Sequence, residues 1–82
     1  MGGRVMTKSP TVKDAKVTTW MAWRRFGPEP FRVDTRPTPE ALRKVAALRL
    51  AERQGWVWFM LPDRACVTQD GRRALAEYGV EP

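Results

Sequence analysis

Residues 55 to 75 read GWVWFMLPDRACVTQDGRRAL, and this stretch carries the clearest structural signal of the chain. Two runs rich in strand-forming residues, Trp56 to Leu61 and Arg64 to Thr68, flank Pro62-Asp63, a pair with turn chemistry. Thr68 is also a suitable N-cap for a helix in QDGRRALAEY, with Asp70 in the first turn and Gly79 as the stop. The stretch predicts an antiparallel hairpin followed directly by a helix.

Alternation along the first strand divides its side chains between two faces: Trp56, Trp58 and Met60 on one, and Val57, Phe59 and Leu61 on the other. Both faces are apolar, and a two-stranded ribbon buries only one of them against a single helical layer. We expect Val57, Phe59 and Val67 to close the core against the preceding helix. The other face, with Trp58 and Met60, is predicted to contact a partner.

Residues 11 to 26, TVKDAKVTTWMAWRRF, predict a first helix that ends at Gly27-Pro28. Its large apolar residues spread over more than half of the circumference: Val17, Trp20, Met21, Trp23 and Phe26. Such a helix is either covered on two sides or presents tryptophan to a partner. Trp20 and Trp23 are the candidates for that contact.

Residues 39 to 54, PEALRKVAALRLAERQ, predict a second helix. Thr38 is its expected N-cap, Pro39 occupies the first helical position, and Gly55 supplies the left-handed stop. The predicted apolar face consists of Leu42, Val45, Ala46 and Leu50. Arg49 and Arg53 lie in or beside this face, and two hypotheses stay open for them. Either their stems cover the edge of the core with the charged groups in water, or they form a basic row that faces phosphates.

Two further segments complete the expected organisation. Between the helices, Phe31 and Val33 alternate with Arg32 and Asp34, which predicts a connector with a short edge strand. Residues 1 to 10, MGGRVMTKSP, predict a flexible basic arm, and residues 11 to 82 a single domain. The predicted fold class is α+β, with three helices and a β-hairpin in the C-terminal half.

The charge balance favours an anionic partner. The chain has 82 residues with 15 Lys plus Arg and 9 Asp plus Glu, a net charge of +6 that attracts polyanions, nucleic acid above all. The alternative is that arginine merely covers a solvated surface. The longest apolar run, Trp56 to Leu61, is far shorter than the roughly 20 residues of a membrane span. We therefore expect no membrane association.

The inventory of reactive side chains predicts a protein without catalytic activity, metal or cofactor. Histidine is absent, Ser9 is the only serine, and the carboxylates are scattered without a repeated spacing. Cys66 lies between Ala65 and Val67 and is expected to be a core thiol. A single cysteine excludes an intramolecular disulfide and suits a reducing cytoplasm.

The order helix, short strand, helix, two-stranded ribbon, helix is that of a winged-helix domain. Two segments resemble bacterial winged-helix regulators of the MarR and PadR kind: LRLAERQGWV, as the end of a recognition helix with the first wing strand, and CVTQDGRRALAEYG, as "Leu-Thr-x-x-Gly-x-x-x-Leu". Thr68, Gly71 and Leu75 match the second pattern. The resemblance covers residues 41 to 78. Those regulators place a separate helix and turn before the recognition helix, whereas residues 40 to 54 contain no Gly or Asn break.

The resemblance and the charge predict a DNA-binding protein, a transcriptional regulator or accessory factor. The helix that resembles a recognition helix would enter the major groove of double-stranded DNA. The hairpin, as the wing, would lie over the backbone or minor groove. Besides the basic arm, the expected phosphate contacts are Arg43, Lys44, Arg49, Arg53, Arg64, Arg72 and Arg73. The alternative is an adaptor or inhibitor that docks on a larger protein, or a homodimer, through Trp20, Trp23, Trp58 and Met60.

Overall fold

The computed structural model describes residues 9 to 77. Its elements follow in the order α1 (Val12–Phe26), β1 (Phe31–Arg32), α2 (Pro39–Arg53), β2 (Val57–Leu61), β3 (Arg64–Val67) and α3 (Gln69–Glu77). This α+β arrangement confirms the predicted fold class and is consistent with a winged-helix-like topology. The α2 helix is continuous, so the separate helix of the MarR and PadR pattern has no counterpart between β1 and β2. Most of the predicted arm and the predicted stop at Gly79 lie outside the described residues.

The three strands form one antiparallel sheet in the order β1-β3-β2. As predicted, β1 is an edge strand. In the hairpin, Val57 pairs with Val67 and Trp58 pairs with Cys66. The register shifts after Phe59, and Leu61 pairs with Arg64. This irregularity places Met60 as an additional residue in β2 and interrupts the alternation of faces at the tip of the hairpin.

Local signals set the helix boundaries. Thr11 Oγ1 accepts a hydrogen bond from Asp14 N at 3.1 Å, and an Asp14 carboxylate oxygen accepts one from Thr11 N at 3.0 Å, which is a capping box. Thr38 Oγ1 accepts from Ala41 N at 3.2 Å at the start of α2. Gly55 has φ +84 after the end of α2, which confirms the predicted left-handed stop.

Half of the hydrophobic residues buried within the described part of the chain are alanine. The buried set consists of Ala15, Ala22, Ala41, Ala47, Ala51 and Ala65, together with Phe31, Val33, Leu48, Val57, Val67 and Leu75. The predicted apolar face of α2 is wrong in part, because Leu42 is exposed, and on α1 the large residues Val17 and Met21 are exposed as well. Alanine allows the packed backbones to approach closely, and the larger side chains then lie on the flanks of the contact.

The hairpin presents Val57, Phe59, Trp58 and Met60 on the predicted faces. Leu61, which was predicted on the inner face, is 53% exposed because the register shifts after Phe59, and Trp56, which was predicted on the same face as Trp58, packs against the core. Val57 and Val67 are buried and Phe59 packs against the core, whereas Trp58 is 59% exposed and Met60 37%. The expectation of a core thiol is wrong. Cys66 is half-buried and lies opposite Trp58, on the outer face of the sheet, because side chains alternate along β3 and its neighbours Ala65 and Val67 occupy the inner face.

A compact junction joins the hairpin to α3. Thr68 Oγ1 accepts from Gly71 N at 3.0 Å and donates to the Gly55 carbonyl at 2.5 Å, so the predicted cap is confirmed and also holds the end of α2. Gly71 is buried against the backbone of Trp56, where a Cβ would clash with the carbonyl oxygen. The Thr-x-x-Gly pattern of this chain thus serves the junction itself.

Within residues 9 to 77, no helix combines the length and the apolar character that a membrane crossing requires.

Candidate nucleic-acid interface

The outer side of α2 carries several exposed basic residues. Ala41, Leu48 and Ala51 bury the inner side of this helix. At about 100° per residue, the opposite side presents a single row of side chains: Leu42, Ala46, Arg49 and Arg53. Arg43 lies beside this row. The structure therefore brings three of the predicted phosphate-binding arginines to one side of one helix.

Arg49 is engaged by other parts of the protein. Its guanidinium carbon lies 3.8 Å from the centroid of the Phe59 ring, and its Nη1 lies 3.0 Å from Glu52 Oε1. The side chain thus connects α2 to β2 and covers the edge of the core, as the first of the two sequence hypotheses describes. Because part of its charge is already compensated, Arg49 is the weaker of the two arginines in this row as a candidate for binding phosphate.

Arg43 and Arg53 differ from Arg49 in this respect. Both are exposed, and neither forms an ion pair with a carboxylate of residues 9 to 77. An exposed guanidinium without an internal acidic partner retains its full capacity for a bidentate contact with phosphate. These two residues are the strongest phosphate-binding candidates on α2.

Lys44 lies on another side of α2. It lines a cleft with Phe31 and Leu48, between α1, β1 and α2. The pKa of the nearby Asp34 carboxyl is lowered to about 2, chiefly because Arg36 donates side-chain and backbone hydrogen bonds to it, with a smaller contribution from the charge of Lys44. Lys44 is therefore separated from the row on the outer side of α2.

Arg64 lies at the start of β3, beside the hairpin turn. Its partner in β1 is Arg32, so two exposed arginines face each other across neighbouring strands. Like charges in this position repel, and an anion between them removes the repulsion. Arg32 was not among the predicted site residues. Its alternation with Phe31 and Val33 in the sequence nevertheless indicates a side chain on the exposed face of the strand, and both neighbours are buried.

The two predicted arginines of α3 lie elsewhere. The Arg72 guanidinium is 5.5 Å from the ring of Trp23 on α1, and Arg73 forms an ion pair of 3.5 Å with Asp70. The seven predicted basic residues thus divide among α2, its cleft, the hairpin and α3.

The predicted aromatic contact residues also divide. Trp58 is exposed, whereas Trp23 and Trp56 are half-buried and pack against the core. Trp20 is half-buried as well, and the Arg24 guanidinium lies 5.3 Å from its ring. Among the tryptophans, Trp58 is therefore the one that the fold leaves most open to a partner.

Residues 9 to 77 hold no group of three His, Cys, Asp or Glu side chains that could bind a metal ion. No family model, curated protein or solved structure matches this chain. Its own surface is therefore the basis for any functional conclusion.

Proposed function

We propose that this chain is a small, non-catalytic DNA-binding protein of winged-helix type that acts in the cytoplasm, with kinship to regulators of the MarR and PadR kind. The observation that supports this best is the position of Arg43 and Arg53, two exposed guanidinium groups without an internal carboxylate partner on the outer side of α2. An α-helix fits the major groove of DNA, and its flanking arginines then reach the phosphates.

The remaining parts take roles that follow from their positions. Arg64, beside the hairpin turn, contacts the backbone next to the groove that α2 occupies. The exposed Leu42 and the half-buried Ala46 lie in the same row as Arg53, where small or apolar side chains contact thymine methyl groups. Lys44, Arg49, Arg72 and Arg73 contribute mainly to the overall positive field.

Titration of a short DNA duplex at several salt concentrations tests this function. The log of the affinity should fall with the log of the salt concentration, by about 0.9 for each phosphate neutralised. Arg53→Ala should reduce that slope by about 1. Fluorescence anisotropy of a labelled duplex measures both quantities.

The matched control is Arg36→Ala, which removes the same charge from an exposed side chain that Asp34 already binds at 2.7 Å. It should leave the slope nearly unchanged. A flat salt response, the absence of a complex at low salt, or equal effects of the two substitutions would contradict DNA binding through α2.

A second candidate function is that of an adaptor that docks on a protein through the outer face of the hairpin. Trp58 favours it, since tryptophan is enriched among the anchors of protein interfaces and this one is 59% exposed beside Met60 and Leu61. Purification of bound partners with and without nuclease treatment separates the two candidates. Partners that survive the nuclease and disappear with Trp58→Ala support the adaptor.

A further inference from the structure

A cleft of about 370 Å³ lies between α1, β1 and α2. Phe31, Val33 and Leu48 line it and are each at least 94% buried, so it opens directly onto the core. Met21 and Phe26 of α1 also line it and are 54% and 37% exposed. The cleft is thus an apolar concavity with large side chains left uncovered on one wall, which is the usual form of a binding pocket.

Its walls differ in rigidity. The Phe26 ring stacks on Phe31, with centroids 5.1 Å apart and an angle of 14° between the planes. This contact fixes one wall to the buried aromatic residue of β1. Met21 has an unbranched, polarisable side chain that adjusts to the shape of a ligand. A fixed aromatic wall beside an adjustable one suits the insertion of a bulky apolar side chain.

The charged residues of the cleft are mainly cationic. Arg25 and Lys44 line it, and neither forms an ion pair with a described carboxylate. The single carboxylate in the lining, Asp34, binds the Arg36 guanidinium with Nη2 to Oδ2 at 2.7 Å. The cleft therefore combines an apolar interior with positive charge, and its natural complement is apolar and acidic.

The cleft continues into a groove of about 780 Å³ between the N-terminal halves of α1 and α2. Thr18 and Lys44 line both. In the groove, Val17 is 41% and Leu42 58% exposed. Its charged side chains are Lys13, Arg43 and Lys44 with the carboxylates Asp14 and Glu40, of which Asp14 accepts the hydrogen bond from Thr11 N. The lining follows α1 from residue 13 to residue 25, which is about 18 Å of helix at about 1.5 Å per residue. A partner helix of about three turns has this length.

We propose that the cleft and groove bind an acidic amphipathic helix from a protein partner. One large apolar side chain enters the cleft between Met21 and Phe26, smaller ones lie along Val17 and Leu42, and acidic side chains face Arg25 and Lys44. A second copy of this chain is a poorer occupant, because both copies carry a net charge of +6. Nucleic acid is also poorer, because the apolar interior offers no donor to a phosphate. The cleft is separate from the proposed DNA-binding side of α2, whereas the groove shares Leu42 and Arg43 with it.

The first test uses a fluorescein-labelled amphipathic peptide of about 18 residues, with leucine along one helical face and glutamate elsewhere. A scrambled peptide of the same composition and a version with lysine in place of glutamate are the controls. Fluorescence anisotropy at physiological salt should show binding of the acidic amphipathic peptide alone. Equal binding of the scrambled peptide, or binding of the lysine version, would overturn the proposed site.

Substitutions then locate the binding surface. Met21→Ser and Arg25→Glu should each weaken the peptide complex about tenfold, which corresponds to about 1.4 kcal/mol. The matched control is Trp58→Ser, because Trp58 has a similar exposure but lies on the outer face of the hairpin. It should leave the affinity unchanged. If it weakens the complex as much as Met21→Ser does, the peptide binds the hairpin and the proposal is wrong.

Methyl NMR reads the site in the unsubstituted protein. The methyl groups of Met21 and Met60 report on the cleft and on the hairpin, respectively. The acidic peptide should shift the Met21 signal and leave that of Met60 in place. The proposal would be overturned if duplex DNA, and not the peptide, shifted the Met21 signal. It would also be overturned if light scattering showed a dimer that Met21→Ser abolishes, because the cleft would then bind a second copy of the chain.

Discussion

The backbone of Gly71 in α3 packs directly against the carbonyl group of Trp56 at the start of the hairpin. The same carbonyl oxygen accepts a hydrogen bond of 2.9 Å from Thr68 N. A Cβ at position 71 would collide with it, so only glycine allows α3 to begin at this distance from the hairpin.

Gly71→Ala should therefore destabilise the protein by about 2 kcal/mol, because the added methyl displaces α3 from the hairpin. This loss outweighs the advantage of about 1 kcal/mol that alanine has over glycine inside a helix. Chemical denaturation followed by circular dichroism measures it. Gln69→Ala, at an exposed position of the same helix, is the control and should change stability by less than about 0.5 kcal/mol. An unchanged stability of Gly71→Ala would contradict the close approach.

Thr68→Val should lower the free energy of unfolding by about 1 to 2 kcal/mol, because it removes the oxygen that accepts from Gly71 N and donates to the Gly55 carbonyl. Valine retains nearly the same shape, so the change isolates the hydrogen bonds. Thr68→Ser keeps the hydroxyl and should retain most of the stability. Equal destabilisation by valine and serine would mean that the methyl group matters more than the oxygen.

Arg49→Ala should destabilise the fold by about 1 kcal/mol through loss of the stacking on Phe59. Arg53→Ala should change stability by less than about 0.5 kcal/mol, since Arg53 is exposed and forms no internal ion pair with a described carboxylate. Thermal and urea unfolding of the two variants measure the difference. The opposite order would show that the contact with Phe59 contributes no stability.

The Asp34 carboxyl should titrate with a pKa of about 2, because Arg36 hydrogen-bonds its charged form. Because the pKa of Asp34 is lower in the folded state than in the unfolded state, the ion pair stabilises the fold at pH values above about 4, the ordinary pKa of aspartate. That contribution is lost as the pH falls from about 4 through the folded pKa. Carboxyl NMR shifts measured against pH check this. Arg36→Ala should return the pKa of Asp34 toward its ordinary value, and an unchanged titration would contradict the assigned cause.

Trp58→Ala should leave the melting temperature within a few degrees of the parent, whereas Val57→Ala should lower stability by about 2 kcal/mol. The two residues are adjacent on β2, but Trp58 is 59% exposed and Val57 only 2%. Calorimetry of both variants tests which face of the hairpin closes the core. Loss of the fold in Trp58→Ala would show that the faces are reversed.

The elements of this fold were predictable because their boundaries depend on neighbouring residues in the sequence. Thr38-Pro39 starts α2, Gly55 ends it, and Pro62-Asp63 turns the hairpin, each through chemistry that acts over a few residues. The inner and outer residues of the hairpin were predictable up to Phe59, because side chains alternate along a strand. The same alternation places Cys66 on the outer face, but its apolar neighbours Ala65 and Val67 favoured the incorrect prediction of a core thiol.

The packing of the helices and most of the site were not predictable in this way. The predicted apolar face of α2 consisted of Leu42, Val45, Ala46 and Leu50, whereas Ala47, Leu48 and Ala51 are buried and Leu42 is exposed. Residue size along one helix does not reveal how closely another helix approaches. The stacking of Arg49 on Phe59 likewise depends on the tertiary arrangement.

The alanine-rich interior has a thermodynamic consequence for binding. An alanine side chain loses no rotamer freedom on burial, so much of this core becomes ordered without that entropic cost. The exposed methionine, leucine and tryptophan side chains keep their freedom in the unbound protein. A partner that immobilises them must overcome an entropic cost of about 0.5 to 1.5 kcal/mol for each long side chain. Complexes at these surfaces should therefore form with modest affinity and exchange rapidly.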